Sequence, residues 1–354
     1  MAQDIQALYS RHIRRKVLLT LGLGVLLAVA AAFSLGLGAY PLGLGDIVQA
    51  FGGSGDSVRR HILMNIRLPR IAAALLAGSC LGLAGAAMQS VLRNPLASPF
   101  TLGVSQGAAF GAAFAIIVLG AGRLFVTGNE PFLMRSPHVI VCSAFLGSLV
   151  TVAALLVLSA CRDLSPAALI LAGVALSSFF SAATMLLQYF ASDIQVAAAV
   201  FWTFGDLGKA RWRELGLMAA ALAPAAGYLV WRRWHFNALL WGDDTAKSLG
   251  VGVYRLRLLS LVLAALVASV TTAFLGIIGF VGLIAPHIMR MIVGQDHRFL
   301  LPCSMLAGGL LLLVSDALAR TVIAPIVLPV GILTSFAGVP LFLYLLLRRG
   351  GIGT

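Results

Sequence analysis

Ten apolar runs follow one another along this chain, and most are close to 20 residues long. This feature restricts the fold more than any motif does, because a helix rising 1.5 Å per residue needs about 20 apolar residues to cross a hydrocarbon core about 30 Å thick. The runs cover residues 17–40, 71–92, 101–119, 139–160, 169–190, 215–231, 258–278, 279–293, 300–319 and 330–347. With 60% hydrophobic and 10% charged residues among 354, the chain lacks the polar surface that a soluble domain of this length requires. In lipid, backbone polar groups must be satisfied within the segment, so such runs become helices. The expectation is an all-α integral membrane protein of ten transmembrane helices, with the spanning domain at 17–347 between short tails at 1–16 and 348–354.

Arg11, Arg14, Arg15 and Lys16 precede the first run, as in a signal peptide. The run exceeds the about 7 to 15 residues of a signal core, so it reads as an uncleaved first span, with the Ala-rich stretch around Ala30 as a rival cleavage site. Gly276, Gly279, Gly282 and Pro286 interrupt one nearly continuous apolar stretch, which makes the boundary between the seventh and eighth runs the loosest. Gly78 and Gly82 form a GxxxG pair and Gly103, Gly107 and Gly111 form two more, the spacing that lets helix backbones approach closely in lipid. Cys80, Cys142, Cys161 and Cys303 show neither CxxC pairing nor metal-ligand spacing and read as small core residues, so no metal site is expected.

The net charge of +13 does not indicate nucleic-acid binding, because Lys and Arg fall between apolar runs and not on a soluble basic face. They report orientation instead. Arg14, Arg15 and Lys16 before the first run, Arg232, Arg233, Lys247, Arg255 and Arg257 after the sixth, and Arg348 and Arg349 after the tenth share one side. An even number of spans with this bias puts both termini in the cytoplasm of a cell inner membrane protein. The opposite face nevertheless carries Arg59, Arg60, Arg67, Arg70, Arg123, Arg135, Lys209, Arg211, Arg213 and Arg320. Docking of an acidic outer partner accounts for that excess, and so does the translocation of longer loops regardless of charge.

No GxxxxGK[ST] phosphate loop, HExxH or GxSxG occurs, so the chain is expected to be no enzyme and to hydrolyse no ATP itself. Ionisable residues in spans are costly and are functional candidates, which singles out Asp316, His287, Arg290 and Glu214. Asp316 and Arg320 stand one helical turn apart and read as a mutually satisfied pair. His287 follows Pro286 in the Gly-rich break, where freed carbonyls need partners, and reads as part of that break and not as a ligand. The polar segment 241–251 between the sixth and seventh runs is short and helix-compatible.

Four stretches resemble the FecCD family of importer permeases. Arg67-Leu-Pro-Arg70 opens the second span, and Asn94-Pro-Leu-Ala97 with Pro99 and Leu102-Gly-Val-Ser-Gln-Gly-Ala108 joins the second to the third. Gly279-Phe-Val-Gly-Leu-Ile-Ala-Pro-His-Ile-Met-Arg290 followed by Asp296-His-Arg298, and Leu328-Pro-Val-Gly331 with Thr334, Gly338 and Pro340, supply the other two. Asp206 stands where relatives often carry a small residue, and the outer loop 120–138 matches no family motif.

The resemblance implies a type II ABC importer permease architecture. Two copies of the permease surround a pathway, two cytosolic ATP-binding subunits sit below with ATP and Mg, and a periplasmic substrate-binding protein docks above. This chain would bind no cofactor of its own. Arg67, Arg70 and Arg320 resemble the family's outward arginines that meet glutamates of the binding protein. Asp243, Asp244, Thr245, Ala246, Lys247, Ser248, Leu249 and Gly250 match its short coupling helices. Ser177, Ser181, Met185 and Gln188 on the fifth helix, with Thr334 and Ser335 on the tenth, are the pathway candidates that follow. The implied cargo is a ferric siderophore, haem or cobalamin, and no residue decides among them. The rival class is an ion-coupled secondary transporter, which would use broken helices near the midplane, as at 276–286.

Overall fold

The computed structural model describes every residue except 1, 39, 41–42, 53–55, 122–123, 126–132, 135, 163–164 and 350–354. Helix α1 (Ala2–Gly36) leads to two short helices, α2 (Leu44–Gly52) and α3 (Ser57–His61). Asp56 caps α3 by accepting the Val58 amide at 3.2 Å. The chain then passes through a π-helical segment, Ile62–Arg67, straight into α4 (Leu68–Val91). Pro69 explains that segment, since its ring crowds the preceding turn and the wider π spacing accommodates it without ending the helix. Helix α5 (Val104–Ile117) and the small antiparallel pair β1 (Leu124–Phe125) and β2 (Leu133–Met134) precede α6 (Pro137–Arg162) and α7 (Pro166–Tyr189).

The second half contains α8 (Asp193–Thr203), a 3₁₀ turn at Leu207–Lys209, α9 (Trp212–Trp231), and the short α10 (Arg233–Leu239) and α11 (Asp243–Ser248). It continues with α12 (Val253–Leu275), α13 (Val281–Val293), α14 (His297–Thr321) and α15 (Val330–Arg349). Each of the ten apolar runs lies on a helix. Among the described residues, seven helices are long and apolar enough to cross a membrane, and three apolar ones, Val104–Ile117, Val281–Val293 and Val330–Tyr344, are shorter. Helix α1 runs unbroken through residue 16, where the tail is expected to meet the first span. Helix α8 corresponds to none of the runs. It packs beside α5, where Gln195 Nε2 donates to the Ile117 carbonyl at 3.2 Å.

Helix α4 is the buried centre of the bundle, flanked by α14, α12, α13 and α9, whereas α1 is almost entirely exposed. The pairs Gly78–Gly82 and Gly107–Gly111 do what their spacing implies, whereas Gly103 lies outside α5 as its left-handed N-cap, with a φ of 83°. A Cβ on Gly78 would stand 2.2 Å from the Gly308 carbonyl oxygen of α14, and one on Gly82 would stand 2.1 Å from that of Ser304. Gly107 and Gly111 meet α6 in the same way, at Gly147 and Ser143. Without a hydrophobic drive between helices in lipid, such close contact supplies the van der Waals attraction that holds the bundle.

The seventh and eighth runs are separated by five non-helical residues, 276–280. Gly276 takes a φ of 83°, and a Cβ there would meet the Trp202 carbonyl at 2.7 Å. The freed backbone groups bond to the segment after α8: Ile277 N donates to Thr203 O at 3.2 Å and Asp206 N to Leu275 O at 2.9 Å, and that segment in turn accepts Gly331 N of α15 at Gly205 O, 3.1 Å. Irregular backbone inside a bundle persists where other protein groups complete its hydrogen bonds, as here. The break therefore lies before α13. Pro286 and His287, expected within it, sit inside α13, and His287 is buried.

The packing yields a stability prediction. Gly82→Ala should lower the thermal midpoint of the purified protein by the equivalent of about 1–3 kcal/mol, the cost of overpacking a filled contact. Gly216→Ala on α9, where an added Cβ meets nothing within 4 Å, should leave it unchanged or slightly raised.

Candidate functional site

Among the described residues, the buried acidic and guanidinium side chains collect at the end where α4 begins, and a second, more exposed charge cluster lies at its other end. At the end where α4 begins, Asp316 of α14 is fully buried and lies between two guanidiniums. Arg70 Nε donates to Asp316 Oδ1 at 2.6 Å, and Arg320 Nε approaches Oδ2 at 2.9 Å. Arg70 also reaches Asp206 Oδ1 at 3.1 Å, while Arg320 donates to the Leu37 carbonyl at 2.8 Å and to Ser34 Oγ at 2.6 Å. Arg67 donates to the Leu35 and Tyr40 carbonyls just past the end of α1. The structure thus brings Arg67, Arg70 and Arg320 together but does not present them outward: Arg67 is 5% exposed and Arg320 8%. A guanidinium this deep needs an anion or carbonyls, and Asp316 with the end of α1 provides them. The Asp316–Arg320 pair expected from spacing is real, and Arg70 makes it a triad.

Asp206 belongs to the same network. It also caps the 3₁₀ turn by accepting the Gly208 amide at 2.9 Å. Lys209, at the end of that turn, donates to the carbonyls of Trp202 at 3.1 Å and Phe204 at 2.9 Å, the unpaired C-terminal end of α8. Burial pulls its ammonium down to about 8, with Asp206 acting in the opposite direction. Glu214 is a local cap of α9 and not an intramembrane acid, since its Oε2 accepts the Arg211 amide at 3.0 Å. Arg59 pairs with Asp46, and Arg123 and Arg135 lie outside the described residues.

At the far end of α4, residues 243–250 form the single-turn helix α11 and its exit. Asp244, Thr245, Lys247, Ser248, Leu249 and Gly250 are exposed and available to a partner. Ala246 is 0% exposed, because the side of the turn facing the bundle must be small and apolar, and Asp243 turns inward to Arg257 at 3.1 Å. These two residues of the eight anchor the segment and do not form its outer face. Leu249 and the neighbouring Trp241 leave large apolar side chains uncovered.

The pathway candidates divide. Ser177, Ser181 and Gln188 on α7 are partly exposed and Met185 is exposed. Thr334 is 2% exposed and donates to the Gly331 carbonyl at 3.1 Å, so it stitches the first turn of α15 and lines no space in this chain. Ser335 donates to the same carbonyl at 2.9 Å but remains partly exposed. Cys80 and Cys303 are buried as core residues, while Cys142 is exposed on α6, contrary to that expectation. Sequence reading passed over Gln89 and Asn237, two polar residues that tie helix ends together. A carboxamide at position 89, inside an apolar run, was the available signal for the first.

A bundle of apolar helices with a short exposed helix at one end and a buried cationic network at the other defines an integral membrane protein. The model of the FecCD transport family matches residues 26–348, and the chain belongs to that family. It is similar to a chain of Methanocaldococcus jannaschii named as an ABC transporter permease protein, with 52% identity over 345 residues covering 98% of each. It is similar also to the hemin transport system permease protein of Yersinia pestis, with 38% identity over 325 residues, 92% of this chain and 94% of that one. A solved structure described as an inward-facing metal-chelate type ABC transporter superposes with a TM-score of 0.81 at 34% identity, over 93% of this chain and 99% of that one. Other relatives are named as permeases for Fe(3+)-citrate, molybdate and vitamin B12.

Two outcomes test the charge network. Asp316→Ala leaves two arginines without their buried anion and should cost about 3–5 kcal/mol, whereas Asp206→Ala, at a half-exposed pair, should cost about 1 kcal/mol or less. Thermal unfolding in detergent separates the two. For Lys209, the unfolded chain keeps its proton up to the ordinary value of about 10.4, while the folded chain releases it near 8. The unfolded state binds more protons across that window, so this group's contribution to stability rises with pH from about 8 to about 10.4. Lys209→Met should flatten the dependence of the unfolding midpoint on pH over the same range.

Proposed function

We propose that this chain is the membrane-spanning subunit of an ATP-driven importer that carries a ferric siderophore, haem or cobalamin from a periplasmic binding protein to the cytoplasm. The observation that carries the reading is the family match over nearly the whole chain, residues 26–348. The ten apolar helices each cross an inner membrane, with both termini cytoplasmic. Two copies of the chain enclose the pathway, and α7 and α15 line it through Ser177, Ser181, Met185, Gln188 and Ser335. The chain itself performs no bond chemistry and holds no cofactor or metal. ATP and Mg act at two copies of a cytosolic ATP-binding subunit, which receives residues 243–250.

At the outer face the binding protein meets the arginine network. Three guanidiniums, Arg67, Arg70 and Arg320, outnumber by one the two carboxylates of that network, Asp206 and Asp316. Carboxylates of the partner are steered by that excess positive charge while the guanidiniums themselves stay held inside the chain. Exposed ion pairs contribute about 0–1 kcal/mol each, so their role is register and encounter more than affinity. Family membership does not favour an ion-coupled secondary transporter. The spread of cargo among relatives, from haem to molybdate, leaves the metal compound to experiment.

The test is ATP hydrolysis in proteoliposomes that contain the permease, its ATP-binding subunit and its binding protein, offered a ferric siderophore, haemin, cobalamin and molybdate in turn. Stimulation of hydrolysis and uptake by one of the three chelates is the expected result. A response to molybdate alone would replace the cargo class. Uptake driven by an ion gradient without any ATP-binding subunit would overturn the reading.

A further inference from the structure

At the end of α4 next to α11, residues of one short stretch each hold a different element. Gln89 Oε1 accepts from Arg290 Nη2 of α13 at 2.9 Å, and Gln89 Nε2 donates to the Leu283 carbonyl at 3.3 Å. Ser90 Oγ lies 2.6 Å from His297 Nε2 at the start of α14. Asn237 of α10 completes that contact: its Oδ1 accepts the His297 amide at 2.8 Å and lies 2.9 Å from Nδ1, and its Nδ2 donates to Asp296 at 3.0 Å. The Val91 carbonyl accepts from Arg257 Nε of α12 at 3.0 Å. Arg257 Nη2 in turn donates to Asp243 of α11 at 3.1 Å, and Arg93 lies 3.7 Å from the same carboxylate.

Helix α11 is a single turn, and its other polar side chains bond within it: Lys247 to Asp244, and Ser248 Oγ to the Thr245 carbonyl. Asp243 is its polar hold on the bundle. Arg257 meets Asp243 with one arm and the end of α4 with another, using the fixed fork of a guanidinium to span both acceptors. A cavity of about 220 Å³ beside Gln89, Arg93 and Arg290 gives these helix ends room to shift relative to one another. Helix α4 then runs about 30 Å, at 1.5 Å per residue, to the arginine network at its other end.

We propose that Arg257 is a positioning residue that links α11 to α4, and that residues 89–93 distribute movement of α11 to α12, α13 and α14. The proposal rests on the reading of 243–250 as the surface that meets the ATP-binding subunit. A passive cap on the Val91 carbonyl would need no carboxylate from α11, and a passive tether of α11 would need no contact with α4. A guanidinium serving both at once is the feature that a link requires.

Hydrogen exchange of the assembled transporter in nanodiscs, with and without ATP and vanadate, tests it. In the wild type, nucleotide should change exchange severalfold both at 243–250 and at 89–94. Arg257→Lys keeps the charge but reaches one acceptor at a time, and Arg257→Gln removes the charge. In each variant the change at 89–94 should fall to less than half while 243–250 still responds. An undiminished response at 89–94 in both variants, no response there in the wild type, or simultaneous loss at both segments would overturn the link. Failure of the ATP-binding subunit to alter exchange at 243–250 of the wild type would instead overturn the coupling reading on which the proposal rests.

Discussion

The close approach of α4 to α14 and α13 is the constraint on which the other features depend. Backbones this near admit no Cβ at Gly78, Gly82 or Gly85, where an added atom would fall 1.7 to 2.2 Å from a carbonyl oxygen. Such contact places α4 in the centre and leaves room along its middle for no polar side chain larger than Ser79, which donates to the Met305 carbonyl. Charge on α4 is therefore confined to its ends, where Arg67 and Arg70 begin the helix and Arg93 follows its last turn. A rod with an apolar shaft and polar ends suits a protein whose partners bind at opposite faces.

The two ends solve the same electrostatic problem differently. At the arginine end, a fully buried aspartate collects two guanidiniums and the end of α1 supplies carbonyls, so the cost of desolvation is met inside the chain. At the α11 end, the ion pairs are half-exposed and set out in a chain, from Asp243 through Arg257 to Val91. Buried networks of the first kind hold shape, because breaking one member strands the others. Half-exposed links of the second kind break and re-form at small cost, which suits a junction that has to move.

The family signatures sit where these constraints meet. Arg67-Leu-Pro-Arg70 combines the π segment, the proline that needs it and two network arginines. Asn94-Pro-Leu-Ala97 follows directly on the distributing turn of α4, and Asp296-His-Arg298 caps α14 while gripping Asn237. The motifs are thus the points where irregular backbone and ionisable side chains had to be satisfied inside an apolar bundle.

By itself the sequence determined the membrane-embedded helical class, the positions of the ten apolar helices, the glycine contacts and the family, since each depends on local composition, period or short motifs. It also marked Asp316 with Arg320 and the polar segment at 241–251. It did not show that Arg70 and Arg320 face inward onto one aspartate while Arg67 turns to the carbonyls at the end of α1, that Thr334 is buried, that α8 exists as a separate helix, or that Arg257 bridges Asp243 and Val91. Those facts depend on helix rotation and on pairings between residues 14 to 246 positions apart. A run that is apolar on every side carries no hydrophobic period to say which way each polar residue points. Only the packed bundle, by choosing which backbones touch, decided it.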